Sequence, residues 1–172
     1  MKRASLAFLF LFTCLTLSAQ NTKVVFLARH AEKVSDARDA LLSDVGKQRA
    51  ACLADVLADA NVRTVIASDV VRTQQTAQPL ADRMHEKLTI IPASDIDQWV
   101  AQIRSAQGNT LVVAHSDTLP KIIQELTGSP VSLGGGQYDL LFVIAFQPNA
   151  GAPVELHYCK PSGPEPERRM PR

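Results

Sequence analysis

Short apolar runs alternate with longer stretches of helical period along this chain, and this alternation constrains its fold more than any other feature. Six runs have strand length, and most of them are rich in Val, Ile and Leu: residues 23–28, 63–67, 88–91, 110–114, 140–146 and 154–159. Apolar strands separated by amphipathic helices are typical of a parallel sheet that is covered on both faces. The sequence therefore predicts an α/β fold, a three-layer α/β/α sandwich with a mostly parallel central sheet of about six strands.

Four helices are predicted between these strands. The first begins at Ser43 as N-cap, and the second follows Ser68 and contains Pro79, which removes a backbone donor and predicts a kink or a break. The third begins at Ser94, and residues 118–127 form the fourth. Spacings of three and four predict the inward face of the first helix, which comprises Val45, Arg49, Leu53, Val56, Leu57 and Ala60.

The amino terminus has the pattern of a secretory signal peptide. Lys2 and Arg3 precede an apolar run over residues 6–17, and the small residues Ser18 and Ala19 follow it. The run is shorter than the roughly 20 apolar residues that span a bilayer, so a retained membrane anchor is the weaker alternative. We expect residues 1–20 to be removed near Ala19, which leaves a secreted or periplasmic protein without a membrane span.

The remaining chain has the size and charge of one globular domain. The 172 residues are 46% hydrophobic and 20% charged, and loss of Lys2 and Arg3 from the 18 Lys and Arg leaves 16 cations against 17 Asp and Glu. This balance gives no electrostatic reason to expect a nucleic-acid partner. The domain is predicted to cover residues 21–160, and residues 161–172, rich in Pro, Glu and Arg, to form a disordered tail. The sequence does not indicate an oligomeric state.

Two cysteines remain after removal of the signal peptide, Cys52 and Cys159, and their spacing fits no metal site. An oxidising compartment would allow them to pair. The alternative is that they are simply buried, which is favoured for Cys52 because it lies among Leu53, Val56 and Leu57 on a predicted helix face.

Histidines and arginines follow three of the predicted strands. Arg29 and His30 follow the first strand, Arg72 lies just after the second, and His115 directly follows residues 110–114. The carboxyl ends of parallel strands meet at one edge of a sheet, so these side chains are expected to converge. Guanidinium groups match phosphate oxygens, and a neutral imidazole is a competent nucleophile. The sequence therefore predicts a site for a small phosphorylated substrate, with no metal and no other cofactor.

Four segments resemble the histidine phosphatase superfamily, which has the phosphoglycerate mutase-like fold. They are residues 27–33 (LARHAEK), 42–50 (LSDVGKQRA), 66–77 (IASDVVRTQQTA) and 112–120 (VVAHSDTLP), in the order of the family. The resemblance implies that His30 forms a phosphohistidine, that Arg29 and Arg72 clamp the phosphoryl group, and that His115 stabilises it. Two residues depart from the family pattern: Ala31 replaces a glycine, and Asp117 stands where an amide is common.

The leaving oxygen needs a proton donor, and two carboxylates are candidates. Asp117 lies two residues beyond His115, and Glu32 lies two residues beyond His30. Asp117 is preferred and Glu32 is the alternative acid, since family members often carry Glu at this position without an acid role. Glycines 134–136 precede a strand instead of opening a helix, so they are not expected to cradle a phosphate.

The combined prediction is a metal-independent phosphomonoester hydrolase that works through a phosphohistidine on His30. Two alternatives remain open: a phosphohistidine-protein phosphatase, and a non-catalytic phosphate-binding module of the same fold. A mutase is disfavoured because the chain lacks the long insertions that retain and reposition a phosphorylated sugar acid. The natural substrate is not indicated by any motif.

Overall fold

The predicted strands form one mixed sheet in the structure, a computed structural model that describes residues 22–146 and 150–159. The strands of this part of the chain are β1 (Lys23–Arg29), β2 (Val62–Ser68), β3 (Leu88–Ile91), β4 (Asn109–Ala114), β5 (Leu140–Phe146) and β6 (Val154–His157). Their order in the sheet is β3-β2-β4-β1-β5-β6. The first four are parallel to one another, and β5 is antiparallel to both β1 and β6. The prediction of a mostly parallel α/β sheet is confirmed.

Helices cover both faces of this sheet, which confirms the three-layer arrangement. They are α1 (Asp44–Val56), α2 (Val71–Met84), α3 (Ile96–Ser105) and α4 (Leu119–Thr127). Because side chains alternate along a strand, Leu111 and Val113 of β4 pack in the core under α1 and α2. Val112 of the same strand packs on the opposite face, among residues of α3 and α4 that include the fully buried Trp99.

The beginning of α1 fits closely against the segment that follows β1. Ser43 caps the helix as predicted, because its Oγ accepts the N–H of Gly46 at 3.1 Å. A Cβ at Gly46 would overlap the carbonyl oxygen of Glu32, so only glycine allows this approach. The predicted inward face is partly wrong: Val45 and Val56 are each 51% exposed, and the buried stripe passes through residues such as Ala50 instead.

Two further helix predictions differ from the structure. The helix α2 continues through Pro79, so a break at this residue does not occur. Asp95 and not Ser94 is the N-cap of α3, because the carboxylate of Asp95 accepts the N–H of Gln98 at 3.0 Å. A carboxylate is the better partner for the partial positive charge of a helix N-terminus, which explains the difference of one residue.

Cys52 and Cys159 form a disulfide that joins α1 to the segment after β6 across 107 residues. The preference for a merely buried Cys52 is therefore wrong, and the open alternative of a pair is correct. Nearby, Nη1 of Arg49 donates to the carbonyl oxygen of Cys159 at 2.8 Å. The disulfide and this hydrogen bond fix the end of the described chain to the first helix.

Within the described residues, no helix is long and apolar enough to cross a membrane. The predicted signal peptide (1–20) and the predicted disordered tail (161–172) both lie outside those residues.

Candidate active site

His30 and His115 lie side by side because β1 and β4 are neighbouring parallel strands in register. Arg29 is paired with Ala114, and the N–H of His30 donates to the carbonyl oxygen of Ala114 at 2.9 Å. The centroids of the two imidazole rings are 5.3 Å apart, and the rings meet edge to face. Both histidines are buried, so the pair forms the floor of a site and not a surface patch.

The imidazole of His30 is held in one tautomer. Its Nδ1 lies 2.8 Å from the carbonyl oxygen of Ala31, and since a carbonyl only accepts, Nδ1 carries the proton. Nε2 therefore keeps its lone pair. Burial lowers the pKa of His30 to about 3, and the neighbouring charges of Arg72 and Arg29 act in the same direction. His30 is thus a neutral imidazole over most of the pH range, which is the form that a nucleophile needs.

Ala31, which replaces the family's glycine, fits the site without strain. It is absent from the described non-glycine residues with positive φ, so the position needs no glycine. Its N–H donates to Oγ1 of Thr76 on α2 at 3.0 Å, and its methyl group packs against Leu42 and Ala50. The segment after His30 is therefore anchored to two helices.

The imidazole of His115 lies between a buried hydroxyl and a guanidinium. Nε2 is 2.9 Å from Oγ of Ser68, and Nδ1 is 3.4 Å from Nη2 of Arg72. Burial lowers the pKa of His115 to about 4, Arg72 lowers it further, and the carboxylates of Asp117 and Asp69 oppose the shift. In the free protein at neutral pH, His115 is therefore uncharged.

The guanidinium of Arg29 is held by the loop that precedes β5. Its carbon lies 4.2 Å from the ring centroid of Tyr138, and Nη1 donates to the carbonyl oxygens of Gly134 at 3.2 Å and Gly135 at 2.6 Å. The glycine loop thus contributes carbonyl oxygens that orient an arginine, and not N–H groups for a phosphate. Sequence reasoning missed Tyr138 and this role of the loop, because both depend on the antiparallel direction of β5.

Arg72 reaches the site from the first turn of α2. Its Nη1 donates to the carbonyl oxygen of Arg38 at 2.8 Å, and its Nη2 faces His115. The Nε atoms of Arg72 and of Arg29 are buried and have no hydrogen-bond partner. Buried donors are rarely left unpaired in a complete site, so both guanidiniums have capacity for an additional acceptor such as a phosphoryl oxygen.

These side chains line a cleft of about 580 Å³ at the carboxyl edge of the parallel strands. Its lining comprises Arg29, His30, Lys33, Arg38, Asp69, Val70, Arg72, Ala93, Ser94, Ile96, His115, Ser116, Asp117, Thr118 and Lys121. The lining thus contains five cationic side chains and two carboxylates, so the cleft attracts anions. In the part of the chain that the structure describes, no group of three or more His, Cys, Asp or Glu residues could hold a metal ion.

The two candidate acids are placed differently. Asp117 lines the cleft and is exposed at its edge. Glu32 does not line the cleft, because its carboxylate binds Arg49: Nε lies 2.9 Å from both carboxylate oxygens, and Nη2 lies 2.6 Å from Oε1. This partly buried ion pair accounts for the position of Glu32, and the assignment of Glu32 as the alternative acid stays a prediction.

The fold and the cleft define a class of protein, a three-layer α/β/α domain with a His-Arg anion site. In sequence, the model of the histidine phosphatase superfamily (branch 1) matches residues 25–96, which include Arg29, His30 and Arg72. No curated protein matches the chain. The family match, which covers residues 25–96, and the fold both support a relationship to the histidine phosphatase superfamily.

Solved structures of phosphatases share this fold. The protein histidine phosphatase SixA in complex with tungstate superimposes with a TM-score of 0.66 at 16% identity, covering 78% of this chain and 96% of that one. A proposed alpha-ribazole-5'-P phosphatase from Escherichia coli gives 0.66 at 18% identity, with coverages of 80% and 97%. A mycobacterial glucosyl-3-phosphoglycerate phosphatase gives 0.60 at 16% identity, with coverages of 72% and 90%. At these identities, the likeness establishes the fold.

Proposed function

We propose that the protein is a metal-independent phosphomonoester hydrolase in which Nε2 of His30 accepts the phosphoryl group. One observation carries the proposal: His30 is buried and neutral, its proton is fixed on Nδ1 by Ala31, which leaves Nε2 free, and His30 lines a cleft together with Arg29 and Arg72. A bare imidazole nitrogen beside two guanidiniums suits attack on a bound phosphoryl group.

The reaction has two steps. Arg29 and Arg72 bind the phosphoryl oxygens, the lone pair of Nε2 forms a bond to phosphorus, and the bond from phosphorus to the ester oxygen breaks. The departing oxygen takes a proton from Asp117, and an alcohol leaves. Water then attacks the phosphohistidine and gives a proton to the Asp117 carboxylate. The bond from phosphorus to Nε2 breaks, which returns the lone pair to His30 and releases inorganic phosphate.

The outer wall of the cleft favours substrates with more than one negative group. Lys33, Arg38 and Lys121 line it in addition to the two arginines of the proposed phosphoryl site. The backbone of Arg38 accepts a hydrogen bond from Arg72, so this part of the wall is attached to the site, whereas Lys33 already pairs with the exposed Asp36 at 2.8 Å. A phosphomonoester that carries a second phosphate or a carboxylate would gain from these cations.

Dephosphorylation of phosphohistidine proteins is the second candidate activity. The shared fold with SixA, a protein histidine phosphatase, favours it. In that reaction the group that leaves is a histidine ring nitrogen of the partner protein, and the attacking group is still Nε2 of His30. The third possibility is a phosphate-binding module without turnover, which would keep the cleft and lack effective proton donation.

We also propose that the protein is exported. The disulfide between Cys52 and Cys159 supports this location, because such bonds persist in oxidising compartments. The signal-like pattern of residues 1–20 points in the same direction.

The hydrolase proposal is tested with the chain that begins at Gln20. Release of nitrophenol from para-nitrophenyl phosphate is measured from acidic to neutral pH, with and without a chelator, followed by a panel of esters with one or two anionic groups and a phosphohistidine peptide. We expect turnover that the chelator does not affect. We also expect His30→Ala to lose it by about 10⁴-fold or more, as for removal of other nucleophiles.

The matched control is His85→Asn, which changes an exposed histidine that does not line the cleft. His85 has a left-handed backbone that asparagine tolerates, so this variant should fold and retain activity. Phosphate binding without any turnover would establish the binding module instead. Turnover that the chelator abolishes would refute the metal-independent mechanism.

A further inference from the structure

Two buried hydroxyl groups connect His115 to the backbone of the turn between β2 and α2. Oγ of Ser68 lies 2.9 Å from Nε2 of His115 and 2.7 Å from Oγ1 of Thr73. Oγ1 of Thr73 in turn donates to the carbonyl oxygen of Val70 at 2.6 Å. Ser68 and Thr73 are both completely buried, so water does not compete for these hydrogen bonds.

The donor and acceptor roles in this row of hydrogen bonds are determined by the groups at its two ends, Val70 and Arg72. Thr73 has one hydroxyl proton, and Val70 can only accept it, so the hydroxyl of Ser68 must donate to Thr73. At the other end, Arg72 can only donate, so Nδ1 of His115 accepts and the proton of the neutral ring is on Nε2. Oγ of Ser68 therefore accepts this Nε2–H, and it also accepts the N–H of Val70 at 3.2 Å.

The oxygen of Ser68 thus makes all three hydrogen bonds that a hydroxyl can make, and its role toward His115 is that of an acceptor. An acceptor on Nε2–H remains satisfied when His115 gains a second proton on Nδ1, and the bond becomes stronger because the donor is then charged. Phosphoryl oxygens are acceptors, so the nitrogen that faces them has to donate. In the structure Nδ1 lacks that proton, because it accepts from Arg72.

We propose that Ser68 and Thr73 are positioning residues. They keep the Nε2–H of His115 hydrogen-bonded to Oγ of Ser68, so that Nδ1 takes up a proton when a phosphoryl group binds. The proton comes from the monoanionic substrate or from water at the open cleft, and Nδ1 then donates it in a hydrogen bond to a phosphoryl oxygen. No bond of His115 is broken. The part of this proposal that concerns a bound phosphoryl group rests on the proposed function.

Other groups around His115 also affect its protonation. A phosphoryl group attracts the proton, and the carboxylates on the turn after β2 and on the loop after β4 act in the same direction. The arginines on β1 and α2 act in the opposite direction, and so does His30 if it is charged. These groups are Asp69, Asp117, Arg29 and Arg72. The effect of the hydroxyl groups of Ser68 and Thr73 can be separated from the effect of these groups, because the hydroxyls can be removed without any change of charge.

The experiment uses nitrogen-15 NMR of histidine-labelled protein, free and with saturating inorganic phosphate, as the pH is varied. In the free wild type at neutral pH, we expect His115 in the Nε2–H tautomer. With phosphate, we expect His115 to become doubly protonated and its titration midpoint to rise. Ser68→Ala should lower the midpoint of the phosphate-bound form by about one pH unit, which is tenfold in proton affinity.

Thr73 provides the sharper comparison because it does not touch the imidazole. Thr73→Val keeps the shape of the side chain and removes the hydroxyl, so the proton of Ser68 loses its acceptor and can turn toward Nε2 of His115. This variant should lower the midpoint in the same direction as Ser68→Ala. Thr73→Ser retains the hydroxyl and should restore the wild-type midpoint. Thermal unfolding of each variant confirms that the domain is folded.

Three results would overturn the proposal: an Nδ1–H tautomer in the free wild type, an unchanged midpoint in Ser68→Ala, or equal midpoints in Thr73→Val and Thr73→Ser. The tautomer of the free protein is measured without turnover and without phosphate. A protein that hydrolyses no ester but shows the expected tautomer would therefore refute the hydrolase and leave the role of the two hydroxyl groups in place.

Discussion

The guanidinium of Arg29 is stacked on the ring of Tyr138, with 4.2 Å between its carbon and the ring centroid. The two residues come from opposite ends of the domain sequence, and they meet because β5 enters the sheet where β1 ends. Tyr138 also lies 5.9 Å from the ring of His30, centroid to centroid. One aromatic side chain thus supports an arginine and a histidine of the proposed phosphoryl site.

Replacement of Tyr138 should weaken the proposed grip of Arg29 on the phosphoryl group. A cation–π contact contributes about 1 kcal/mol, so Tyr138→Ala is expected to lower kcat/KM for para-nitrophenyl phosphate by roughly fivefold. Tyr138→Phe retains the ring and is the matched control, with near wild-type kcat/KM. An equal loss in both variants would show that the hydroxyl of Tyr138 matters and that the stacking does not.

The two carboxylates near the histidines should respond differently to the loss of charge. Asp117→Asn is expected to lower kcat by about 10²-fold for esters of alkyl alcohols, whose leaving oxygen needs a proton, and by much less for para-nitrophenyl phosphate. The comparison of the two ester types is the measurement. An equal effect on both ester types would contradict the role of Asp117 as a proton donor.

Glu32→Gln is expected to act on stability instead. It leaves the buried Arg49 without a counter-charge, and since the carboxylate side chain is still 22% exposed, we expect a loss on the order of 2 kcal/mol in the free energy of unfolding. Urea denaturation measures this loss. A stable Glu32→Gln variant with severely reduced turnover would instead support Glu32 as the acid.

Loss of the disulfide should destabilise the domain without altering the cleft. The bond closes a loop of 107 residues and does not involve any residue of the cleft lining. The double variant Cys52→Ala/Cys159→Ala is expected to lose about 3 kcal/mol of stability and to retain its kcat at low temperature. Addition of a reductant should destabilise the wild type and leave the double variant unchanged. A reductant effect of similar size on both proteins would refute this assignment.

Acid should destabilise the fold through the two buried histidines. The pKa values of His30 and His115 are lowered to about 3 and about 4, while the unfolded chain binds these protons near pH 6.5. The unfolded state therefore binds more protons below about pH 6.5, so the free energy of unfolding falls as the pH decreases toward 3. His30→Gln removes one of these groups and should show a smaller loss of stability between pH 7 and pH 4. Parallel curves for the variant and the wild type would contradict the lowered pKa of His30.

Much of the site could be predicted from sequence because parallel strands impose a common edge. Arg29, His30 and His115 directly follow apolar strands, and Arg72 lies in the first turn after another. Neighbouring parallel strands in register bring such positions together without any knowledge of side-chain conformation. This is why the convergence of all four residues on one cleft agrees with the expectation from sequence.

The remaining features depend on contacts between distant segments. An apolar run such as residues 140–146 does not reveal the direction of its strand. The approach of Tyr138 and the glycine loop to Arg29 therefore could not be predicted from the sequence. Cys52 and Cys159 are far apart in sequence, and only the path of the segment after β6 brings Cys159 within bonding distance of α1. Glu32 has the same spacing from His30 that Asp117 has from His115. Its carboxylate, however, binds Arg49 of α1, and Glu32 does not line the cleft.

The strand that carries His30 is hydrogen-bonded along both of its edges, to β4 on one side and to β5 on the other. The sheet ends instead at β3 and β6, which are four-residue strands. Fraying begins at such margins, so the imidazole of His30 is attached to the part of the sheet that opens last. Loops around the cleft can therefore change in sequence while the position of the proposed nucleophile is preserved.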